Sequence, residues 1–212
     1  MRLVGHHTGI SLGFYGTSHH ATEDLAIMRS IADLTVVAPA DSAQLRAAIR
    51  ASVSHAQPIY FRIGRGRDPV VYETVQSIEF GKAIRHANGS DLTLIATGSM
   101  VHPTLEAAEI LRSEGRSVGM IDMHTIKPID REAILEAAGE SSFLMTVEEH
   151  NVLAGLGGAV AEVLTDEGLA CRLVRHGIKD EYSLIAPPTH LYAHYGLDGK
   201  GIAARAREAF DV

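Results

Sequence analysis

The stretch GHHTGISLGFYGTSHHATEDLAIMRSIADLTVVAPAD, residues 5–41, combines a polar loop containing four histidines with the start of an α/β unit. Glu23 and Asp24 suit the first turn of a helix, where the macrodipole favours acidic side chains, and Ser18 is a candidate N-cap. The run LTVVA at 34–38 is unbroken and apolar, which is typical of a parallel strand covered on both faces. The stretch therefore predicts a histidine loop, a helix and a buried strand.

The alternation continues on both sides of this stretch. Residues 2–4 have a strand pattern, Asp41 or Ser42 can cap a following amphipathic helix, and 59–63 is a further strand pattern. Strand, helix, strand, helix, strand is typical of parallel α/β architecture, although it makes up only part of a domain. Residues 64–77 contain glycines and a proline without a helical period, which indicates that the chain crosses between two domains here.

A second α/β series follows the linker. Buried strand patterns alternate with amphipathic helices, and a less regular segment at 183–195 precedes the last helix. We therefore predict part of a parallel-sheet domain at 1–66, a linker at 67–77, and a complete α/β domain with a mostly parallel sheet at 78–212. The elements predicted for this last domain are strands at 80–85, 92–96, 118–123, 143–147 and 171–174, and helices at 101–113, 130–138, 154–164 and 200–210.

The composition excludes several classes of function. The chain has 212 residues and a formal net charge of −7, with acids and bases interspersed. No basic stripe neutralises phosphates and no apolar run approaches the ~20 residues that span a bilayer, so we expect neither nucleic acid nor membrane as a partner. Cys171 is a lone cysteine, expected to be a buried strand residue, and residues 1–9 hold no hydrophobic signal core. Both features indicate a cytoplasmic location.

Four histidines, His6, His7, His19 and His20, are the densest group of side chains that can exchange a proton near neutral pH. Adjacent histidines in an extended segment point in different directions, and no cysteine or i, i+4 histidine pair accompanies them. We therefore predict no metal site. Two interpretations stay open, namely proton handling with polar substrate contact, or histidines on the surface of a polar loop.

Three arginines, Arg62, Arg65 and Arg67, lie at or beyond the end of the strand predicted at 59–63. In open α/β sheets, ligands gather at the carboxyl ends of the strands, where a guanidinium can bind a phosphate or carboxylate through two parallel hydrogen bonds. The alternative is a solvated basic linker.

The last candidate group surrounds the end of the strand predicted at 143–147. The glycine-rich run AGLGG at 154–158 does not match a dinucleotide fingerprint, and close packing of helix on sheet explains it better. Glu148, Glu149 and His150 could serve acid–base chemistry, but a solvated loop or an interface network is the favoured interpretation.

Together, several stretches resemble the transketolase family. They are VGHHTGISLG, SHHATEDLAIMRSIADLTVVAPAD, PIYFRIGRGRDPV, LTLIATGSMV, MIDMHTIKPID, and VEEHNVLAGLGGAVAEVL with HGIKD behind it. The resemblance extends over nearly the whole chain. It is to the C-terminal subunit of the two-gene form, which carries the pyrimidine-binding and C-terminal domains, without the first part of the pyrimidine-binding domain.

The resemblance implies a thiamine-diphosphate-dependent transferase that moves a two-carbon ketol unit between sugar phosphates. It further implies that an N-terminal, diphosphate-binding subunit holds most of the cofactor and its Mg²⁺, and that the chains assemble into a hetero-oligomer. The glutamate that activates the cofactor in the family lies upstream of the position that Arg2 matches. The resemblance therefore assigns no cofactor-binding residue to this chain.

By motif, the resemblance assigns a role to three residues. His19 matches the catalytic histidine that contacts the donor's reacting hydroxyls, whereas His7 and Arg65 match residues that bind the sugar phosphate. Tyr15 replaces the aspartate that usually contacts the substrate's C2 hydroxyl, and His20 replaces a glutamine. Because a phenol is larger than a carboxylate and neutral, we expect Tyr15 to contact a substrate other than the standard pentose phosphates.

The alternative interpretation is that the chain is a non-catalytic dimerisation or regulatory subunit, or a truncated fragment of such an enzyme. In either case the first sheet would lack strands, so that its edge and its apolar helix faces would be uncovered. We therefore expect the first part of the chain to need a partner for its stability.

Overall fold

A computed structural model describes residues 1–66 and 68–211 of the chain. The elements alternate as the sequence pattern predicts, and they form two mostly parallel sheets flanked by helices. The strands are β1 Arg2–His6, β2 Thr35–Val37, β3 Ile59–Ile63, β4 Ile84–Ala87, β5 Leu92–Ala96, β6 Val118–Asp122, β7 Thr125–Lys127, β8 Phe143–Asn151 and β9 Arg172–Ile178. The helices are α1 Asp24–Ser30, α2 Ser42–Ser52, α3 Val101–Ser113, α4 Arg131–Glu140, α5 Leu156–Asp166, α6 Pro188–His194 and α7 Gly199–Phe210.

The first sheet has the strand order β1-β3-β2-β7. Strands β1, β3 and β2 are parallel, as predicted, with Val4 and Val37 both opposite Phe61 in the central strand. The fourth strand, β7, was not predicted. It comes from the later half of the chain and pairs antiparallel with β2. One edge of the first sheet is thus covered from within the chain.

The second sheet has the order β4-β6-β5-β8-β9, with only β4 antiparallel. Its faces bury two apolar clusters. One cluster lies under α3 and α7 and includes Leu94 and Ile202. The other includes Leu25, Val36 and Ile126 together with residues of β5, β8 and α5, so the two sheets share one continuous core.

Several predictions about individual elements are wrong. The strand predicted at 143–147 continues to Asn151 as β8, so the acidic residues after 147 lie in a strand and not in a loop. Cys171, predicted to be a buried strand residue, is only partly buried and lies just before β9. Helix α1 begins at Asp24 without any side-chain cap, and Ser18 lies in the loop before it. The strand predicted at 80–85 is displaced to β4, because Gly81 has a φ of 89° that interrupts an extended chain. The irregular segment at 183–195 contains α6, which begins with a proline at its first position.

A buried polar cluster joins the segment at 68–77 to both sheets. The Asp41 carboxylate caps α2 through the backbone N–H of Gln44, at 2.9 Å, and also accepts the backbone N–H groups of Val71 and Tyr72 at 2.8 and 2.7 Å. The Tyr72 hydroxyl and the Gln44 side chain both donate to Asp122 at the end of β6, at 2.7 and 2.6 Å. This segment forms no helix or strand in its described residues, but side chains fix it in place.

The stability of this cluster should depend on pH through Asp122. Burial raises the pKa of Asp122 to about 7, and the donated hydrogen bonds of Tyr72 and Gln44 only partly offset that effect. Since the folded chain then keeps a proton that the unfolded chain releases near pH 4, the contribution of Asp122 to stability falls as the pH rises from 4 to 7.

We expect Asp122→Asn, which cannot ionise, to gain stability relative to the wild type as the pH rises from 5 to 7.5. The change is at most about 1.4 kcal/mol per pH unit. Urea unfolding at several pH values measures it. Parallel stability curves for the two proteins would show that Asp122 does not titrate in this range.

Among residues 1–66 and 68–211, strand β1 pairs only with β3, so the opposite edge of the first sheet is open within this part of the chain. Leu3 and Val4 on this strand are 36% and 59% exposed. An unpaired edge with apolar side chains is a template for association with another chain.

We expect the purified chain to self-associate through this edge and Val4→Lys to weaken that association about tenfold or more, since a lysine on an edge strand opposes pairing. Sedimentation velocity over a concentration series measures the effect. Val70→Lys is the control, because Val70 is also exposed but lies outside any strand. A wild-type chain that is monomeric at every concentration would contradict the prediction.

Candidate active site

The histidine loop connects β1 to α1 at the carboxyl end of the first sheet. Reciprocal backbone hydrogen bonds between Gly9 and Ala21, at 3.1 and 2.9 Å, close the loop at its base. Between them the chain forms one 3-10 turn, Gly13–Tyr15. Because this pair holds the chain as far as Ala21, the helix cannot begin at Ser18.

His7 lies in the first stem of the loop, which is the segment that leads from β1 into the loop, and it is half-buried. Its φ is 62°, in the left-handed region that non-glycine residues rarely adopt. Its ring packs edge-on against that of His6, with ring centroids 4.4 Å apart, and their Nδ1 atoms are in contact. A strained backbone next to an imidazole pair is typical of functional sites.

Tyr15 and His19 come together on the outer side of the loop. Their ring centroids are 4.9 Å apart, and both side chains are exposed. The Ser18 hydroxyl lies 3.0 Å from His19 Nδ1, which leaves His19 Nε2 available to a substrate. The structure thus brings together the predicted catalytic histidine and the residue that departs from the family pattern.

His20 turns the other way, into the protein. Its Nδ1 contacts the Ser183 hydroxyl in the segment before α6, and its Nε2 is buried without a hydrogen bond in the described part of the chain. Burial lowers the pKa of His20, so the ring is neutral near pH 7. This histidine connects the loop to the later half of the chain.

Arg65 is exposed just beyond β3, and its guanidinium donates to the Ser11 carbonyl of the histidine loop at 3.3 Å. It lines a cleft of about 650 Å³ between the loop and the later half of the chain, whose other walls include Ser99, Tyr192 and Leu197. Arg67, the third predicted arginine, lies outside the described residues.

Arg62 is not available to a ligand. Its side chain is buried, its Nε lies 2.9 Å from the Asp24 carboxylate, and its Nη2 donates to the carbonyls of Ala21 and Glu149 at 3.0 and 2.9 Å. Burial opposes the charge on Arg62, but Asp24 and Glu149 outweigh it and raise its pKa. The guanidinium serves the structure of the loop rather than substrate binding.

Glu148 is also fully buried, which corrects the interpretation of a solvated loop. Its carboxylate accepts the backbone N–H groups of Leu156 and Gly157 at 2.7 and 2.9 Å, at the first turn of α5. The glycine-rich run packs closely, as predicted, since a side chain at Gly157 would press on Thr146 and Arg175. A carboxylate thus fills the helix N-terminus that could otherwise hold a diphosphate.

His150 is held neutral in the same cluster. Its Nδ1 donates to the Asn151 carbonyl at 2.7 Å, and its Nε2 accepts from the backbone N–H of Ala26 at 3.4 Å. Burial and the nearby Arg62 lower the pKa of His150. Both ring nitrogens are therefore engaged, and His150 is not free to act as an acid or base.

Glu149 contacts the histidine loop itself. Its Oε1 accepts from the backbone N–H of Ile10 at 2.9 Å and from the Tyr192 hydroxyl at 2.6 Å. Its Oε2 accepts from the Ser99 hydroxyl at 2.8 Å and, more weakly, from that of Thr8 at 3.4 Å. In the sequence, Glu149 belongs to a pair of acidic residues that follows a buried strand pattern. Charged residues at such a position are typical of an exposed loop, so the pattern does not indicate that Glu149 is buried.

The site therefore offers exposed imidazole, phenol and guanidinium groups on loops at the carboxyl ends of β1 and β3. These groups can donate hydrogen bonds to hydroxyls and to a phosphate. Among residues 1–66 and 68–211, no three His, Cys, Asp or Glu side chains come together as a metal site. Nor is any helix of these residues both long enough and apolar enough to cross a bilayer.

The close approach of Gly9 to Glu149 gives a test of this geometry. Gly9 has a φ of 53°, and a Cβ there would collide with the Glu149 carboxyl, whereas Gly168 has a φ of 65° and open space around it. Gly9→Ala should therefore lose about 1–3 kcal/mol more stability than Gly168→Ala, because only the first adds overpacking to backbone strain. Equal losses, measured by urea unfolding, would contradict the described contact.

Two family models match the chain. That of the transketolase pyrimidine binding domain matches residues 1–69, and that of the transketolase C-terminal domain matches residues 81–202. The chain belongs to the transketolase family. The predicted fold class, with part of a pyrimidine-binding domain followed by a C-terminal domain, is confirmed.

The relatives include a section and a subunit of transketolases. The chain is 41% identical over 210 residues to a putative transketolase C-terminal section from Methanocaldococcus jannaschii and 38% identical over 210 residues to one subunit of the apulose-4-phosphate transketolase from Phocaeicola vulgatus. In both cases the alignment covers 98% of this chain but only 66% of the relative, so the chain spans slightly less than two thirds of their length. Among solved structures, an inactive beta4 tetramer of a split-gene transketolase superposes with a TM-score of 0.90 at 37% identity, over 99% of this chain and 67% of the other.

Proposed function

We propose that the chain is a subunit of a thiamine-diphosphate-dependent transketolase-like enzyme that transfers a two-carbon ketol unit between sugar phosphates or related substrates. The observation that carries this proposal is the exposed Tyr15–His19 pair on a loop that the rest of the chain holds in place, with Arg65 hydrogen-bonded to the same loop. The two-gene relatives support a role as one subunit of a composite enzyme.

Four residues have a role in this proposal. His19 Nε2 hydrogen-bonds to the donor's reacting hydroxyl and accepts or returns its proton, as an imidazole can near neutral pH. Arg65 and His7 bind the sugar phosphate, Arg65 with the fixed fork of its guanidinium. Tyr15, a neutral phenol beside His19, contacts the substrate's hydroxyls and favours substrates other than standard pentose phosphates.

The cofactor is held mainly by partner chains. In support of this, Glu148 already fills the α5 N-terminus, and the exposed groups around the histidine loop are of the kind that bind a substrate's hydroxyls and phosphate. Thiamine diphosphate supplies the carbanion chemistry of ketol transfer when it is bound. We propose an N-terminal, diphosphate- and Mg²⁺-binding subunit as the partner, in a hetero-oligomer. We place the domain division at 1–66, 67–77 and 78–212, which the limits of the two family models support.

Two substitutions test the catalytic role in the complex with the natural partner, thiamine diphosphate and Mg²⁺. His19→Ala should lower kcat about a hundredfold or more, as loss of general acid–base assistance does. Arg65→Ala should raise KM about tenfold or more for a phosphorylated sugar, because a charge-assisted contact is lost. Steady-state kinetics of ketol transfer with a panel of ketose phosphates measures both effects.

The matched controls are His86→Ala on β4 and Arg46→Ala on α2, which remove an exposed histidine and an exposed arginine outside the histidine loop and outside the cleft beside Arg65. Both should leave the kinetics unchanged. If the complex transfers ketol units but His19→Ala and Arg65→Ala have no effect, the chain is a non-catalytic dimerisation or regulatory subunit. If the wild-type complex transfers none, the proposed function fails.

A further inference from the structure

We propose that Glu149 is a positioning residue that sets the conformation of the histidine loop from the later half of the chain. The part of this proposal that concerns catalysis rests on the proposed function, whereas the part that concerns the loop does not. Glu149 touches no exposed face of the loop, and it acts through the stem that precedes Ser11.

The geometry singles out this carboxylate because it collects donors from three separate places. Its four partners are Thr8 and Ile10 in the loop stem, Ser99 before α3, and Tyr192 in α6. A carboxylate is an acceptor with two oxygens, so it satisfies all four donors at once. Its removal would leave buried donors unpaired in the loop and in the later half of the chain.

Both stems of the loop depend on the same residue. The Glu149 carboxylate binds the first stem. The Glu149 carbonyl accepts a hydrogen bond from Arg62 Nη2, and the same Nη2 also donates to the Ala21 carbonyl in the second stem, which leads from the loop into α1. The reciprocal hydrogen bonds of Gly9 and Ala21 lie between these two attachments. The position of the segment that carries Tyr15 and His19 is therefore set by where β8 places Glu149.

The packing leaves no alternative position for the carboxyl group. Glu149 is 1% exposed, and Gly9 approaches it so closely that a Cβ at residue 9 would collide with it. Two of its donors, Ser99 and Tyr192, also line the cleft beside Arg65. Reach, rather than charge alone, thus determines whether Glu149 can bind the loop.

Two variants separate reach from charge. Glu149→Asp keeps the charge but withdraws the carboxylate by one methylene, so the Ile10 N–H loses its acceptor. Glu149→Gln keeps the reach: its amide oxygen can accept from Ile10 and Tyr192, and its NH₂ can donate to the hydroxyls of Ser99 and Thr8, which also accept. The matched control is Glu148→Asp, which shortens an equally buried carboxylate that binds α5 instead of the loop.

Amide hydrogen exchange of residues 8–21 in the purified chain measures the loop directly. In Glu149→Asp we expect exchange there to accelerate about tenfold or more, because the loop opens locally. In Glu149→Gln and Glu148→Asp it should stay close to the wild type, although Glu148→Asp lowers the thermal midpoint. In the assembled enzyme, Glu149→Asp should raise KM for the sugar phosphate about tenfold, whereas Glu149→Gln should keep KM close to the wild-type value.

Wild-type exchange in Glu149→Asp would overturn the proposal, as would equal acceleration in Glu148→Asp or in Glu149→Gln. If the wild-type complex shows no ketol transfer, the proposed function fails, but the exchange measurement still decides whether Glu149 positions the loop. Fast loop exchange in Glu149→Asp with unchanged KM would overturn the catalytic part of the proposal alone.

Discussion

The buried guanidinium of Arg62 is the interaction on which the rest of the structure depends. An isolated buried charge is costly, and it is tolerated only where it is paired and its donors are satisfied. Asp24 supplies the opposite charge at the start of α1, and the carbonyls of Ala21 and Glu149 both accept from Arg62 Nη2. Arg62 therefore joins β3, α1, the histidine loop and β8 in one connected unit.

This unit explains why the polar groups of the site are divided into two sets. One set is buried and structural: Arg62, Glu148, Glu149 and His150 are each held by backbone or side-chain partners. The other set, which includes Tyr15, His19 and Arg65, is exposed at the carboxyl ends of the strands. The first set gives the second a rigid base, which is the arrangement a binding site needs if its ligand is to be oriented.

Elements with a long repeating pattern could be predicted from the sequence, and those made by distant contacts could not. Strands β3 and β5 and helix α3 have the predicted limits, because runs such as LTLIA and the 3.6-residue period of α3 carry their own signal. In contrast, β7 has only three residues and gains its hydrogen bonds from β2, far away in sequence. Helix α6 buries only Leu191, so its seven residues have no detectable period.

The candidate site shows the same division. Motif resemblance was sufficient to nominate His7, Tyr15, His19 and Arg65, since those residues lie in dense polar segments. The burial of Glu149 could not be foreseen, because a charged residue is buried only when donors from elsewhere surround it. Those donors come from residues 8, 10, 99 and 192, which no local pattern connects.

Strand β7 has a consequence for how this chain can be divided. It covers the β2 edge of the first sheet, and its Lys127 donates to the carbonyls of Arg29 and Ile31 at the end of α1, at 2.9 and 2.5 Å. The boundary between the two domains in sequence is therefore not a boundary in space. A gene divided within residues 67–77 would therefore remove β7 and the Lys127 contacts at the end of α1 from the product of its first half.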